Sequence, residues 1–493
     1  LKKNENETQK PKQRKQEPLK RKKQKKDHEL TVITYLFTGL FTLLIGYFVY
    51  FNAVLRPEVI NNPYNSRQEN FAKRVVRGKI LASDGTVLAE TKTGEDGTET
   101  RSYPYGNVFA HVTGYATRGR TGIESLANFE LLTSNAFFGE QIAKELKEEK
   151  NIGDNVVTTL DTKLQETAYN ALGNHKGAVV VLEAETGKVL AMVSKPDFDP
   201  NRVNEDWDAL NQSENSDGVF YNRAMQGLYP PGSTFKVVTL LDYMRENPDY
   251  EDFQFHCSGS LTEGNYTISC YGKNAHGNED LRKAFAKSCN TAFSSIGLSL
   301  DEGTFKSNCE GLLFNSELPL QLPYSKSSFS LESGAAPAEQ MMTGIGQGET
   351  LVSPMHMAMI MGAIANEGVL MKPYFLERVE TYTGDLVKTF RPAVYGSLMT
   401  KQEAEILTEY MRAVVTEGTG SKLDNMGFFI AGKTGTAEYS SDKSKSHAWF
   451  AGFSDTGESD IVVCVLVEEA GSGSEFAVPV AREIFWAWNV GRE

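Results

Sequence analysis

The sequence predicts an α+β fold behind an N-terminal membrane anchor, and three observations carry that prediction. An uncharged apolar run, Leu30 to Phe51, follows a basic tail. Two β-rich runs open the C-terminal part of the chain and three more lie near its end. Helical patterns fill the interval between them. Strands supplied by both ends of one domain are joined most simply in a single antiparallel sheet. With 493 residues, 40% of them apolar, the chain has room for two or three domains with substantial cores.

The net charge of -13 is unevenly placed. Residues 1–29 hold 12 Lys or Arg against 5 Asp or Glu, which leaves -20 on the remainder. The tail lacks apolar periodicity and is expected to be disordered. Leu30 to Phe51, as a helix, rises roughly 33 Å, enough to cross a hydrocarbon core of about 30 Å. A cleaved signal peptide is the rival reading, but the run is too long and Phe51-Asn52-Ala53-Val54 makes a weak cleavage site. Lys and Arg on the N-terminal side of a span keep that side cytoplasmic, so everything after residue 52 is expected on the outer face of the cell membrane. Beside a membrane span, orientation and lipid headgroup contact explain the basic tail, and no nucleic-acid partner is needed.

Past a linker from Arg56 to Gln68, Arg77 to Ala89 reads as two short strands around the Asp84-Gly85 turn. Residues 52–152 add a helical pattern at Phe138 to Glu149 and hold no cluster of titratable residues that reads as a site; they read as a non-catalytic pedestal. Residues 153–493 form the second domain. Asp161 is placed to cap a helix running to Leu172. Ala178 to Leu182 and Lys188 to Val193 are β-rich and joined across Glu185-Thr186-Gly187. Helical patterns follow Ser233, fill Leu281 to Leu300, and recur at Pro354 to Asn366 and Lys401 to Thr416. Phe428 to Ala431, His447 to Phe453 and Ile461 to Glu468 read as strands, closed by a helix from Glu475 to Trp488.

Three short motifs carry chemistry. Pro230-Pro231-Gly232 feeds an apolar helical pattern, which sets Ser233 in a first turn with Lys236 on the same face. A serine hydroxyl is a poor nucleophile until a base takes its proton, and a desolvated lysine serves as that base. The second motif is Ser288-Cys289-Asn290, and the third is Lys433-Thr434-Gly435-Thr436. Each type has a second occurrence: Ser440-x-x-Lys443, Ser213-x-Asn215 and Lys92-Thr93-Gly94. These lie in polar, loop-like sequence and in the reversed order. Ser288 and Asn290 fall inside a helical pattern, and Lys433 follows an apolar strand.

In that order and context the motifs resemble the penicillin-binding transpeptidases. Flanking sequence is similar too, at Gly346-Gln347-Gly348, Ser353-Pro354, Ala365-Asn366-Glu367-Gly368 and His447-Ala448-Trp449-Phe450. The likeness covers most of residues 52 to 490 and is to class B members, which have an anchor, a pedestal and a transpeptidase domain. It implies a five-stranded antiparallel sheet with helices on both faces. It also implies a serine D,D-transpeptidase that cross-links peptidoglycan stem peptides ending in D-Ala-D-Ala and is acylated by β-lactams. Ser233 would be the nucleophile and Lys236 its base, lowered in pKa with help from Lys433. Ser288 would relay protons and Asn290 would hold Lys236 and a substrate amide. The N–H groups of Ser233 and Thr436 would form the oxyanion hole. Thr434, Gly435 and Thr436 would bind the substrate, the two threonines gripping its terminal carboxylate. Class B enzymes work beside a polytopic glycosyltransferase of the shape, elongation, division and sporulation (SEDS) family, which is the partner the resemblance implies. The competing functions are a D,D-carboxypeptidase or β-lactamase, a β-lactam sensor, and an inactive wall-synthesis scaffold.

No cofactor is required by this chemistry. Five cysteines on a chain placed outside the cytoplasm exclude complete intramolecular pairing. Cys257 and Cys270 flank a hairpin-like turn near His256 and His276. A disulfide is the first reading there, beside a zinc site using both cysteines and a histidine, and free thiols. Cys289 reads as a small buried filler, His447 as a buried hydrogen-bonded residue or a wall of the substrate groove, and Trp449, Phe450 and Phe453 as strand core.

Overall fold

The computed structural model describes residues 28–51, 74–212, 218–438, 446–456 and 460–490. The chain divides into two compact units, residues 1–60 and 61–493. In the first, the apolar run forms one helix, His28–Tyr50, with a mean hydropathy of 2.0 over Leu30–Tyr50. Three of its threonines satisfy themselves within the helix. The hydroxyls of Thr34, Thr38 and Thr42 donate to the carbonyls of Leu30, Thr34 and Thr38 at 2.7–2.8 Å. A polar atom paired inside its own helix suits hydrocarbon surroundings. This helix supports a single membrane-spanning segment.

In the second unit the early and late strands meet as expected. A five-stranded sheet runs Ile430–Glu438, Ser446–Ser454, Ile461–Val467, Gly177–Glu183, Val189–Lys195, and every pairing is antiparallel. The hairpin across Glu185 to Gly187 and the closure by both ends of the domain match the sequence reading. Ile461–Val467 is buried at every position because both faces of the sheet are covered. Val179, Val181, Val463 and Val465 face helices Thr162–Leu172 and Gly473–Asn489, through Leu164, Ala168, Ala477 and Phe485. Val180, Leu182, Val462 and Cys464 face the other way, toward Pro354–Ala365, which is buried along nearly its whole length. Asp161 caps Thr162–Leu172 by accepting from the Leu164 N–H at 2.9 Å.

Two expectations need correction. The pattern from Leu281 to Leu300 is not one helix. It is Leu281–Ala286 and Asn290–Ser299, separated by a turn in which Ser288 takes a left-handed φ of 57° and Cys289 caps the second helix. Apolar periodicity continues across the break because both helices bury the same side, so the pattern hides it. The strand read at Phe428 to Ala431 begins at Ile430 and continues through the Lys-Thr-Gly-Thr motif to Glu438, so Lys433 lies inside an edge strand.

A second, six-stranded sheet joins segments far apart in sequence: Leu386–Thr389, Leu376–Glu380, Asn155–Thr158, Ile80–Leu81, Val87–Thr93 and Glu99–Ser102. Ile80–Leu81 runs parallel to Asn155–Thr158, and the other pairings are antiparallel. Beneath it, Glu124 is fully buried between two arginines, 2.6 Å from Arg77 Nε and 2.7 Å from Arg101 Nε, while Tyr103 donates to it at 3.1 Å. Removing one partner of such a cluster leaves buried charge uncompensated. Glu124→Ala is therefore expected to destabilise the unit by about 3–5 kcal/mol, read as a lowered midpoint of urea unfolding.

Candidate active site

Pro230-Pro231-Gly232 turns the chain into a single 3-10 turn, Gly232–Phe235, that runs on into helix Lys236–Glu246. The turn is held from two sides. Trp449 Nε1 of the sheet donates to the Pro230 carbonyl at 3.1 Å, and the Gly232 N–H donates to the Gly346 carbonyl at 2.8 Å. Gly232 has φ +52°, and a Cβ there would lie 2.6 Å from the Thr436 carbonyl oxygen. Only glycine meets both conditions. Phe235 then anchors the turn among Phe305, Phe314 and Phe329, with ring centroids 5.7–6.0 Å away. Ser233 is half-buried and Lys236 wholly so.

The turn lies along the edge strand. A Cβ on Gly435 would come within 3.0 Å of Thr234 Cγ2 and of Trp449 Cβ, so glycine is what permits this approach. Lys433 is wholly buried. Its Nζ donates to Ser288 Oγ at 2.8 Å and to the Thr434 carbonyl at 3.3 Å. From the other side Lys236 Nζ donates to the Ser288 carbonyl at 2.8 Å, to Ser288 Oγ at 3.3 Å and to Asn290 Oδ1 at 2.8 Å. The Asn290 amide in turn donates to the Ser269 carbonyl at 3.1 Å. Both lysines thus converge on one hydroxyl, and the left-handed turn at Ser288 is what offers its side chain and carbonyl together.

Burial lowers the pKa of Lys236 to about 8. Burial also takes Lys433 well below the usual lysine range, and the charge on Lys236 pushes it further in the same direction. Repulsion between two cations is mutual, so each lysine disfavours the charged form of the other. Thr434 is buried with its Oγ1 2.6 Å from Thr419 Oγ1, and Thr436 is half-buried beside the Gly232 turn.

All eight sequence-predicted site residues lie in these three segments. Thr419 was missed; it lies in Glu417-Gly418-Thr419-Gly420, just after helix Lys401–Thr416, and its N–H donates to the Ala286 carbonyl at 3.3 Å. Nothing local in Gly-Thr-Gly marks it as part of a site. His447 is buried and accepts from the Glu469 N–H at 3.3 Å, and Trp449, Phe450 and Phe453 are strand core. Of the repeated motifs, Lys92-Thr93 lies at the exposed end of strand Val87–Thr93, with Lys92 3.7 Å from Glu90. Ser440 with Lys443, and Ser213 with Asn215, lie outside the described residues.

A family model for the penicillin binding protein transpeptidase domain matches residues 177–486, more than half of the chain. The chain belongs to the penicillin-binding protein transpeptidase family. A second model, the penicillin binding protein A dimerisation domain, matches residues 77–156. The peptidoglycan D,D-transpeptidase PbpA of Mycolicibacterium smegmatis is 31% identical over 438 residues, 82% of this chain and 87% of that protein. A solved D,D-transpeptidase domain from Eggerthella lenta is 30% identical, with a TM-score of 0.75 over 85% of this chain and 99% of that one. Penicillin-binding protein A from M. tuberculosis, solved as a ceftriaxone acyl-enzyme complex, is 30% identical with a TM-score of 0.75, covering 84% and 98%. At the level of the family, this class B penicillin-binding protein is a serine-type peptidoglycan D,D-transpeptidase.

This penicillin-binding protein also carries a group able to hold a metal, Cys257, Cys270, His276 and Cys289. Cys257 and Cys270 are not bridged; their sulfurs are 3.6 Å apart. The histidine of the group is His276, since His256 turns to Asn278, 2.6 Å from its Nδ1. Cys289 is buried as expected but is a member of the group, not merely a filler.

Lysine side-chain NMR is expected to show one amine titrating near pH 8, charged below and neutral above, because Lys236 is lowered to about 8. That signal should be missing from Lys236→Ala.

Proposed function

We propose that Ser233 is the nucleophile of the transpeptidation reaction and Lys236 its base. The observation that supports this most is the convergence on Ser288 Oγ of Lys433 and of Lys236, which lies one turn along from Ser233. Neutral Lys236 takes the proton of Ser233 as Oγ attacks the penultimate carbonyl of a stem peptide ending in D-Ala-D-Ala. The N–H groups of Ser233 and Thr436 stabilise the oxyanion. Collapse breaks the peptide bond, and Ser288 passes the proton from Lys236 to the departing D-alanine amine. An amine from a neighbouring stem then attacks the acyl-enzyme, loses its proton through the same relay and releases Ser233. Asn290 holds Lys236 and the substrate amide, and Thr434, Gly435 and Thr436 bind the peptide end with its terminal carboxylate.

β-Lactams acylate the same serine, a reading supported by the acyl-enzyme complexes of the M. tuberculosis relative with ceftriaxone, imipenem and penicillin G. Residues 1–29 lie in the cytoplasm, 30–51 span the membrane, and the pedestal 52–152 and transpeptidase domain 153–493 stand on the outer face. The positive tail before the span supports this orientation. A polytopic SEDS-family glycosyltransferase is the partner, met through the anchor and pedestal.

Labelling with a fluorescent penicillin tests the reading. Wild type is expected to form a slowly hydrolysed adduct and Ser233→Ala none. Lys236→Ala should slow acylation by about 100- to 10,000-fold. The wild-type rate should climb as pH rises through about 8, where Lys236 becomes neutral. Labelling of Ser233→Ala, or rapid turnover of the wild-type adduct, would overturn the assignment.

A further inference from the structure

Ile430–Glu438 is an end strand of the five-stranded sheet, paired within it on one side. Along such a strand, alternate residues turn their backbone N–H and C=O outward. Glu438 turns its pair toward Gly346-Gln347-Gly348, where the Gln347 side chain meets it. With the Gln347 amide oriented to satisfy both groups, its nitrogen donates to the Glu438 carbonyl at 2.9 Å and its oxygen accepts from the Glu438 N–H at 3.1 Å. The opposite orientation brings a longer contact, 3.5 Å to the Thr436 carbonyl. Gln347 thus stands where the backbone of a further strand would stand. Thr436, two residues back, turns its own backbone groups the same way, and a Cβ on Gly232 would lie 2.6 Å from its carbonyl oxygen.

The loop that carries Gln347 also holds the turn of Ser233. The Gly346 carbonyl accepts from the Gly232 N–H at 2.8 Å. Gly346 has φ +71°, and a Cβ there would lie 2.1 Å from the Gly232 carbonyl oxygen and 2.5 Å from Phe235 Cβ, so the approach needs glycine. The base of the loop is fixed as well. It ends helix Pro337–Gly344, where the N–H groups of Gly346 and Gln347 donate to the Thr343 and Met342 carbonyls, each at 2.9 Å. Thr239 Oγ1, on the helix that begins at Lys236, donates to the Gly344 carbonyl at 2.9 Å. Ser294 Oγ, on the helix that begins at Asn290, donates to the Met341 carbonyl at 3.2 Å. From this base, adjacent residues grip two separate elements: Gly346 holds the turn of Ser233, and Gln347 holds the strand of Thr436.

We propose that Gln347 is a positioning residue for the oxyanion hole, tying the edge strand to the loop that holds Gly232 and so setting the separation of the Ser233 and Thr436 N–H groups. Those two donors lie on different elements, a turn and a strand. Their bonds to a developing oxyanion weaken steeply as distance and angle depart from the ideal, so a small drift between the elements costs rate. A side-chain amide suits this task because it presents one donor and one acceptor together, the complement of the outward pair of Glu438. An ionised glutamate of the same length accepts from the N–H but sets its charge against the carbonyl. Gln347 acts through the strand backbone, so its removal affects the step in which the oxyanion forms more than the binding that precedes it. The inference rests on the reading of Ser233 and Thr436 as the oxyanion donors.

Acylation of the purified full-length chain in detergent by fluorescent penicillin, followed over a concentration series, separates the limiting rate constant from the half-saturating concentration. Gln347→Ala is expected to lower the limiting rate constant by about 10- to 100-fold and to leave the half-saturating concentration within about twofold. A boronic acid that forms a tetrahedral adduct on the nucleophilic serine should lose affinity by a similar factor. Gln347→Glu, of the same size, should show the same split with an unchanged urea midpoint, so failure of the alanine variant to fold leaves the test standing. Gln340→Ala, on the same helix but with its amide donating to Glu302 and the Ala335 carbonyl, should match wild type. A limiting rate constant within about twofold of wild type in Gln347→Glu, or a loss confined to the half-saturating concentration, overturns the inference. So does undiminished boronate affinity in a slowed variant, or equal slowing in Gln340→Ala. Each of these results leaves the transpeptidase reading standing while Ser233→Ala stays unlabelled; labelling of Ser233→Ala overturns that reading itself.

Discussion

Two lysine amines buried around one serine hydroxyl set the terms for this structure. An isolated ammonium taken from water is costly, and a second one beside it adds repulsion. The fold answers with acceptors and with aromatic faces. Lys236 has the Ser288 carbonyl and the Asn290 side-chain oxygen, and its Nζ lies 5.4 Å from the centre of Phe293. Lys433 has the Thr434 carbonyl and lies 5.5 Å from the centre of Phe285. What these groups do not offset appears as the lowered pKa of both amines. The site is thereby brought near the protonation state that general-base chemistry needs at neutral to mildly alkaline pH.

Holding that arrangement requires segments from across the chain to be rigid relative to one another. Lys433 sits on the edge strand of the five-stranded sheet, Lys236 on a helix start that the strand supports, and Ser288 on the break between two helices. The same sheet is tied to the six-stranded one. Thr159 Oγ1 donates to the carbonyl of Val189 at 2.7 Å and to that of Tyr374 at 3.2 Å, and the Val189 N–H donates to Tyr374. Strands Leu376–Glu380 and Leu386–Thr389 then carry the chain into the six-stranded sheet. The two sheets therefore share a hydrogen-bonded seam, without a flexible tether between them.

Most of this was legible because local chemistry and global fold agree. Pro-Pro-Gly before an apolar helix, Asp161 as a cap, the β-rich runs around residues 178–193 and the apolar Ile461 run each report on their own neighbourhood. The Ser288 break was not legible, since both helices bury one continuous side. Nor was the pairing of Leu376–Glu380 with Asn155–Thr158, a contact between segments more than 200 residues apart that period-two patterning cannot assign. Thr419 escaped for a related reason. A Gly-Thr-Gly turn is common, and only the proximity of Thr434 gives its hydroxyl a role. Cys289 was hidden as a member of the group able to hold a metal, and the choice between His256 and His276 was open, because the four residues are assembled by three strands and a helix cap at spacings that match no standard finger.

The middle residue of Ser288-Cys289-Asn290 shows how one peptide answers two demands. Ser288 and Asn290 turn their polar atoms to Lys236, and Cys289, between them, points to the sulfur group on the opposite side. That opposition is a consequence of the left-handed φ at Ser288 followed by an extended Cys289 at the helix cap. An alanine at 289 would keep the backbone path but lose the cap acceptor for the Ala292 N–H and the contact with Cys270. A larger apolar residue would meet a wholly buried site already filled by sulfur atoms and the Thr291 hydroxyl. The identity of residue 289 is therefore constrained from the side away from the reaction, while its neighbours are constrained from the side facing it.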